Sequence, residues 1–177
     1  MKQAALLLGV GLATLVVQGA AALVLPYPFC PDVGLLVVIA IGLYWEPLPS
    51  GFALAALLGY STDVLSGSLL GQHAMLRLVC FAAARLASRQ LNLRGALPFA
   101  VFAGGLTIAY AAALEAQLAF FTGAPTEVGA FGRTLLHAVV NAFFAPIVAA
   151  VVEQVCSWGG DDDRARRPVR FDGGDIR

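Results

Sequence analysis

The stretch DVLSGSLLGQHAMLR, Asp63 to Arg77, gathers an Asp, several hydrogen-bonding side chains, a His and an Arg in a chain otherwise rich in Ala, Leu, Val, Phe and Gly. A carboxylate and a guanidinium this close in sequence can form an ion pair, and His73 sits one helical turn before Arg77 on the same face. Glu115 and Gln117, the pair His137 and Asn141 at i and i+4, and Gln18 near the start repeat the pattern of polar groups isolated in apolar sequence. Groups of these types could hold an ion, relay a proton or recognise polar groups of a partner.

Established catalytic patterns do not account for them. Gly59-Tyr60-Ser61 lacks the second glycine of a hydrolase elbow. No HExxH, no Cys/His ligand pair and no glycine-rich phosphate loop occurs, and His137 with Asn141 has no Ser or Cys nucleophile in a motif of its own. Cys30, Cys80 and Cys156 are odd in number and show no paired spacing, so they read as small apolar side chains rather than disulfide partners or metal ligands. The expectation is a protein without catalytic residues, cofactor or metal.

The solvent follows from composition. Over 177 residues, 59% are hydrophobic and only 12% charged, with a mean hydropathy of +0.82, which is far from the balance of soluble domains. This is the composition of an integral membrane protein. A helix needs about 20 mostly apolar residues to cross ~30 Å of hydrocarbon, and four segments meet that: Ala4 to Leu25, Leu69 to Ser88, Leu97 to Phe121 and Arg133 to Cys156. Between the first two, Val33 to Leu65 is divided by Glu-Pro-Leu-Pro-Ser (Glu46 to Ser50) into shorter apolar runs. Two prolines and an acid favour a break there. The expectation is two short or tilted helices and six in total, with a re-entrant hairpin as the alternative. The transmembrane domain then covers residues 1–156, and the charged, Gly-rich remainder, 157–177, reads as a disordered cytoplasmic tail.

The basic residues orient this set, because loops rich in Lys and Arg stay in the cytoplasm. Lys2, the turn with Arg85, Arg89 and Arg94, and the Arg-rich tail all fall inside when both termini are cytoplasmic. Lys2, the apolar run and Ala20-Ala21-Ala22 also imitate a cleavable secretory signal, although the run is long for one. In the uncleaved arrangement Asp63, His73, Arg77, Glu115, His137 and Asn141 all lie in the outer half of the bilayer, and the inner half is nearly featureless. Ionisable groups in hydrocarbon pair or face water, so the expectation is an outward-opening pocket with Asp63 opposite Arg77. The other reading is a polar network that only fixes helix register. Asp63 is further expected to accept backbone N–H bonds from Ser66 and Gly67. Gly51, Gly59, Gly67 and Gly71, at multiples of four, are expected to let helices 3 and 4 approach closely.

Several of these segments resemble the family of the rod shape-determining protein MreD. They are CPDVGLLVVIAIGLYW (Cys30 to Trp45), Pro49, Gly51 and Gly59, the turn DVLSGSLLG (Asp63 to Gly71), and VVNAFFAP (Val139 to Pro146). Glu46 and the long Asp-then-Arg tail depart from the pattern. The resemblance marks Pro31 and Asp32 at the opening of helix 2, and Ser66, Gly67 and Gly71 in the turn. It implies an all-α, six-helix transmembrane bundle similar to the substrate-binding component of energy-coupling-factor transporters. It also implies a multi-pass protein of the bacterial inner membrane, within the elongation complex that builds the lateral wall. The implied partners are the single-span periplasmic protein MreC, the actin-like MreB filament, and the wall-synthesis glycosyltransferase RodA with its transpeptidase, directly or indirectly. No nucleic acid is expected. Three classes compete: a non-enzymatic scaffold, which is preferred; a vitamin-like solute-binding subunit of a transporter; and an enzyme acting on a lipid-linked substrate.

Overall fold

Proline, glycine and one aspartate set where the helices begin and end in the computed structural model, which describes residues 2–67, 69–93, 95–123 and 130–165. Helix α1 spans Lys2–Ala22, α2 Val33–Tyr44, α3 Leu48–Ser66, α4 Gln72–Gln90, α5 Ala96–Thr122 and α6 Ala130–Ala165, with no strand among the described residues. Asp32 caps α2 by accepting the Leu35 N–H at 2.9 Å. Pro47 precedes α3 and another proline lies in its first turn, where a missing N–H costs little. The break expected within Glu46 to Ser50 therefore falls at Trp45-Glu46-Pro47, between two helices. Pro146 lies inside α6, which continues past Cys156 to Ala165, into the segment read as tail. Residues 166–177 of that tail lie outside the described residues.

Helix α2 is the axis of the bundle. It packs against all five other helices, and every residue from Gly34 to Leu43 is buried. A helix apolar all round belongs in a core. At 12 residues it reaches only ~18 Å, short of a bilayer's ~30 Å. Helices α1, α3, α5 and α6 are long and apolar enough to cross one. Their outward faces present side chains such as Val16, Val17, Phe120 and Phe143, the surface lipid would cover.

Two sequence expectations change here. Leu69 to Ser88 is not one of the strongly apolar spans: α4 starts later, at Gln72, and carries His73, Arg77, Arg85 and Arg89, whereas α3 is apolar enough to cross. Helix α4 is held by its buried face, including Leu76, Cys80, Phe81 and Ala84, rather than by overall hydropathy. The four glycines also divide by role. A Cβ on Gly59 would stand 2.4 Å from the Ala74 Cα, and one on Gly51 would stand 2.5 Å from the Phe81 ring, so these two do bring α3 against α4. Gly67 (φ +64°) and Gly71 (φ +91°) have open space around them. They serve the turn through left-handed backbone that other residues adopt only with strain.

Gly59→Ala must push α3 away from the α4 backbone, and overpacking of this kind costs about 1–3 kcal/mol. Gly9→Ala, where a Cβ meets nothing within 4 Å, serves as control. Thermal unfolding of both variants in detergent should show a clear loss for the first and parental behaviour for the second.

Candidate functional site

Asp63 lies in the last turn of α3 with no exposed surface. Its carboxylate reaches across the turn to the start of α4, whose N-cap position, Gly71, has no side chain to offer. One oxygen accepts the N–H of His73 at 2.8 Å, and the other accepts those of Gly71 at 3.0 Å and Ala74 at 3.2 Å. An aspartate borrowed from the preceding helix thus satisfies donors that a helix start leaves orphaned, and its charge suits the positive end of the helix dipole. The partners expected from sequence, Ser66 and Gly67, lie on the near side of the turn; the carboxylate bonds to the far side because that is where α4 begins.

Arg77, on the next turn of α4, is also fully enclosed, and its salt bridge is with Asp32 at 3.0 Å, not with Asp63. A second guanidinium nitrogen donates to the Leu58 carbonyl on α3 at 3.1 Å, while Nε is buried without a partner. The same Asp32 oxygen that meets Arg77 also caps α2. The Asp32 backbone N–H donates to Asn141 Oδ1 on α6 at 2.9 Å, and Asn141 donates in turn to Thr107 Oγ1 on α5 at 3.1 Å. On α1, Gln18 Oε1 accepts the Gly34 N–H at 3.2 Å. His73 Nδ1 bonds to the Tyr110 hydroxyl, tying α4 to α5. Side chains at this one end therefore connect all six helices.

Above this floor lie two cavities. One, of about 260 Å³, is lined by Tyr27, Asp32, His73, Tyr110, Glu115, Arg133 and His137, among others. The other, of about 390 Å³, is lined by Gln18, Cys30, Thr62 and Ser66, and shares Tyr27, Asp32 and His137 with the first. The loop between α1 and α2 forms the partition. Tyr27 is held there by edge contact with His137, ring centroids 5.1 Å apart, and by the Arg133 guanidinium 5.7 Å from its ring centre. Burial, and then the nearby Asp32 carboxylate, push the Cys30 thiol up from its ordinary pKa, which disfavours the reactive thiolate.

Of the six candidates named from sequence, His73, Glu115 and His137 line a cavity. Asp63, Arg77 and Asn141 are enclosed beneath. The expectation that Arg77 lines a watery pocket is corrected: its exposure is zero because α2, α3 and α4 close around it. Reading the residues alone missed Asp32 as the partner of Arg77, along with Tyr27, Thr107 and Tyr110. A signal for Asp32 existed, since an Asp after Pro and before an apolar run is a helix-start signature. Among the described residues no group of three or more His, Cys, Asp or Glu could hold a metal ion. The arrangement offers donors, acceptors, aromatic faces and both signs of charge, which suits recognition.

The family model of the rod shape-determining protein MreD matches residues 3–155, nearly the whole helical region. No curated protein and no solved structure matches the chain. The chain belongs to the MreD family and is a multi-pass membrane protein of cell-shape determination.

Arg77→Ala strands the Asp32 carboxylate and should cost about 3–5 kcal/mol, the range for breaking a buried pair from one side. Asp63→Ala removes a helix cap and should cost ~1–2 kcal/mol, with Asp63→Asn milder because one acceptor oxygen remains. Gel filtration of detergent-solubilised variants after graded heating should rank them in that order. An Arg77→Ala protein as heat-stable as the parent would contradict the network.

Proposed function

Taking that family membership as premise, we propose that the chain is a non-enzymatic scaffold in the bacterial inner membrane, where its polar end seats a segment of an MreC-like single-span protein. Through that contact it takes part in controlling lateral peptidoglycan synthesis, alongside the MreB-like filament and the wall-synthesis glycosyltransferase and transpeptidase. The observation that carries this reading is the pair of small chambers divided by Tyr27, Asp32 and His137 over a floor bonded to every helix. The chamber containing Glu115 and Arg133, at about 260 Å³, falls below the ~300–1,000 Å³ usual for small-molecule sites. Chambers of this size suit individual side chains of a protein segment. Arg85 and Arg89, at the far end of α4 from His73, support an orientation with the chambers outward and both termini in the cytoplasm.

The solute-binding alternative draws on the 390 Å³ chamber, which is within the small-molecule range, and on the proposed likeness to the transporter component. It requires a ligand that raises the thermal stability of the purified protein.

Glu115→Lys and His137→Ala alter a chamber wall and leave Asp32, Arg77 and Asn141 in place. Both variants should accumulate as the parent does, bind the MreC-like partner at least about tenfold more weakly, and fail to restore rod shape in depleted cells. Full partner affinity in both variants would sink the proposed contact. Thermal stabilisation by a vitamin-like solute, lost in the same variants, would favour the transporter reading instead.

A further inference from the structure

At the opposite end of the bundle lies a larger cleft, of about 750 Å³, between the end of α2 and the end of α4. Its lining includes Tyr44, Glu46, Arg85, Ser88, Arg89 and Asn92. Its volume is typical of small-ligand sites. It shares no residue with the two chambers described above.

The two arginines are one helical turn apart on α4 and are placed differently. The Arg85 guanidinium is fixed by one bond, from Nη2 to the Glu46 backbone carbonyl at 3.0 Å, and its Nε is buried without a partner. Arg89, in the last turn, is exposed and makes no hydrogen bond or ion pair with any described residue. The cleft thus contains an anchored guanidinium beside a second one that has no partner among the described residues. Glu46 contributes one negative charge, and the ends of the α2 and α4 dipoles, which both face the cleft, add about half a charge each. Against these stand two full positive charges. The charges roughly cancel, and the donors select the ligand: Arg89 keeps an exposed guanidinium whose N–H groups no described residue takes. Planar guanidinium groups recognise tetrahedral oxyanions through paired N–H donors.

We propose that this cleft binds a phosphate-bearing group, with Arg85 and Arg89 donating to its oxygens. The site does not depend on the proposed partner contact at the other end. Two sources carry that chemistry: the headgroup of a phospholipid lying against the bundle, and a free phosphate.

The test uses the full chain purified in a neutral maltoside detergent. Probes are phosphatidylglycerol, diacylglycerol with the same acyl chains, and inorganic phosphate at millimolar concentration. Readouts are lipid adducts in native mass spectrometry and thermal unfolding. The parent should retain phosphatidylglycerol over diacylglycerol. Arg85→Gln/Arg89→Gln should bind it about tenfold or more weakly. Arg89→Gln alone, which removes no internal bond, should unfold as the parent does without lipid and still lose affinity. Stabilisation by inorganic phosphate that vanishes in the double variant assigns the site to the free anion; stabilisation by phosphatidylglycerol alone assigns it to the headgroup. Equal retention of diacylglycerol and phosphatidylglycerol, or unchanged phosphatidylglycerol affinity in both variants, overturns the proposal.

Discussion

A guanidinium enclosed between helices brings five N–H donors and no acceptor into the interior, so the structure around Arg77 must supply acceptors. It does so with the Asp32 carboxylate from the start of α2 and the Leu58 carbonyl from α3. Neither bond is an isolated surface contact. Asp32 simultaneously caps α2, and its backbone is held by Asn141 of α6, so displacing Arg77 disturbs the position of the central helix. Pairs of this kind add little net stability compared with an apolar core, and removing one member is costly. Their effect is to restrict which arrangement of the helices is compatible with burial.

The consequence for the rest of the protein is a division of labour along the bundle. The middle is apolar: α2, with Gly34 to Leu43 buried, is surrounded by side chains such as Leu58, Phe81, Phe99 and Val152. Close approach of α3 to α4 at Gly51 and Gly59 fixes the height at which Asp63 meets the start of α4. The polar groups then collect at one end, where some complete the floor and others are left to face the two chambers. Exposed apolar faces of the long helices provide the contact with lipid that membership of a membrane-protein family requires.

The sequence disclosed the six helices, the break near Glu46 and the collection of polar residues at one depth, because each follows from local pattern: apolar run length, proline, and distance from a helix end. Partner choice was not legible. Asp63 is nearer to Arg77 in sequence, but the ion pair runs to Asp32, 45 residues away, since only the packing of α2 against α4 decides which carboxylate reaches the guanidinium. Asp63 is occupied by the N–H groups of α4, a demand that arises from Gly71 lacking a cap side chain. The cleft at the other end was missed for a related reason. Arg85 and Arg89 read as orientation signals, and the space beside them exists only because the ends of α2 and α4 converge there.

Arg77 is coupled to Asp32 rather than to Asp63, and a pair of double-mutant cycles measures this directly. Unfolding free energies would be compared for Asp32→Asn, Arg77→Met and their combination, and for Asp63→Asn with the same Arg77 change. The expected interaction energy is about 1.5–3 kcal/mol in the first cycle and less than ~0.5 kcal/mol in the second. Near-zero coupling between Asp32 and Arg77, or a larger one between Asp63 and Arg77, would contradict it.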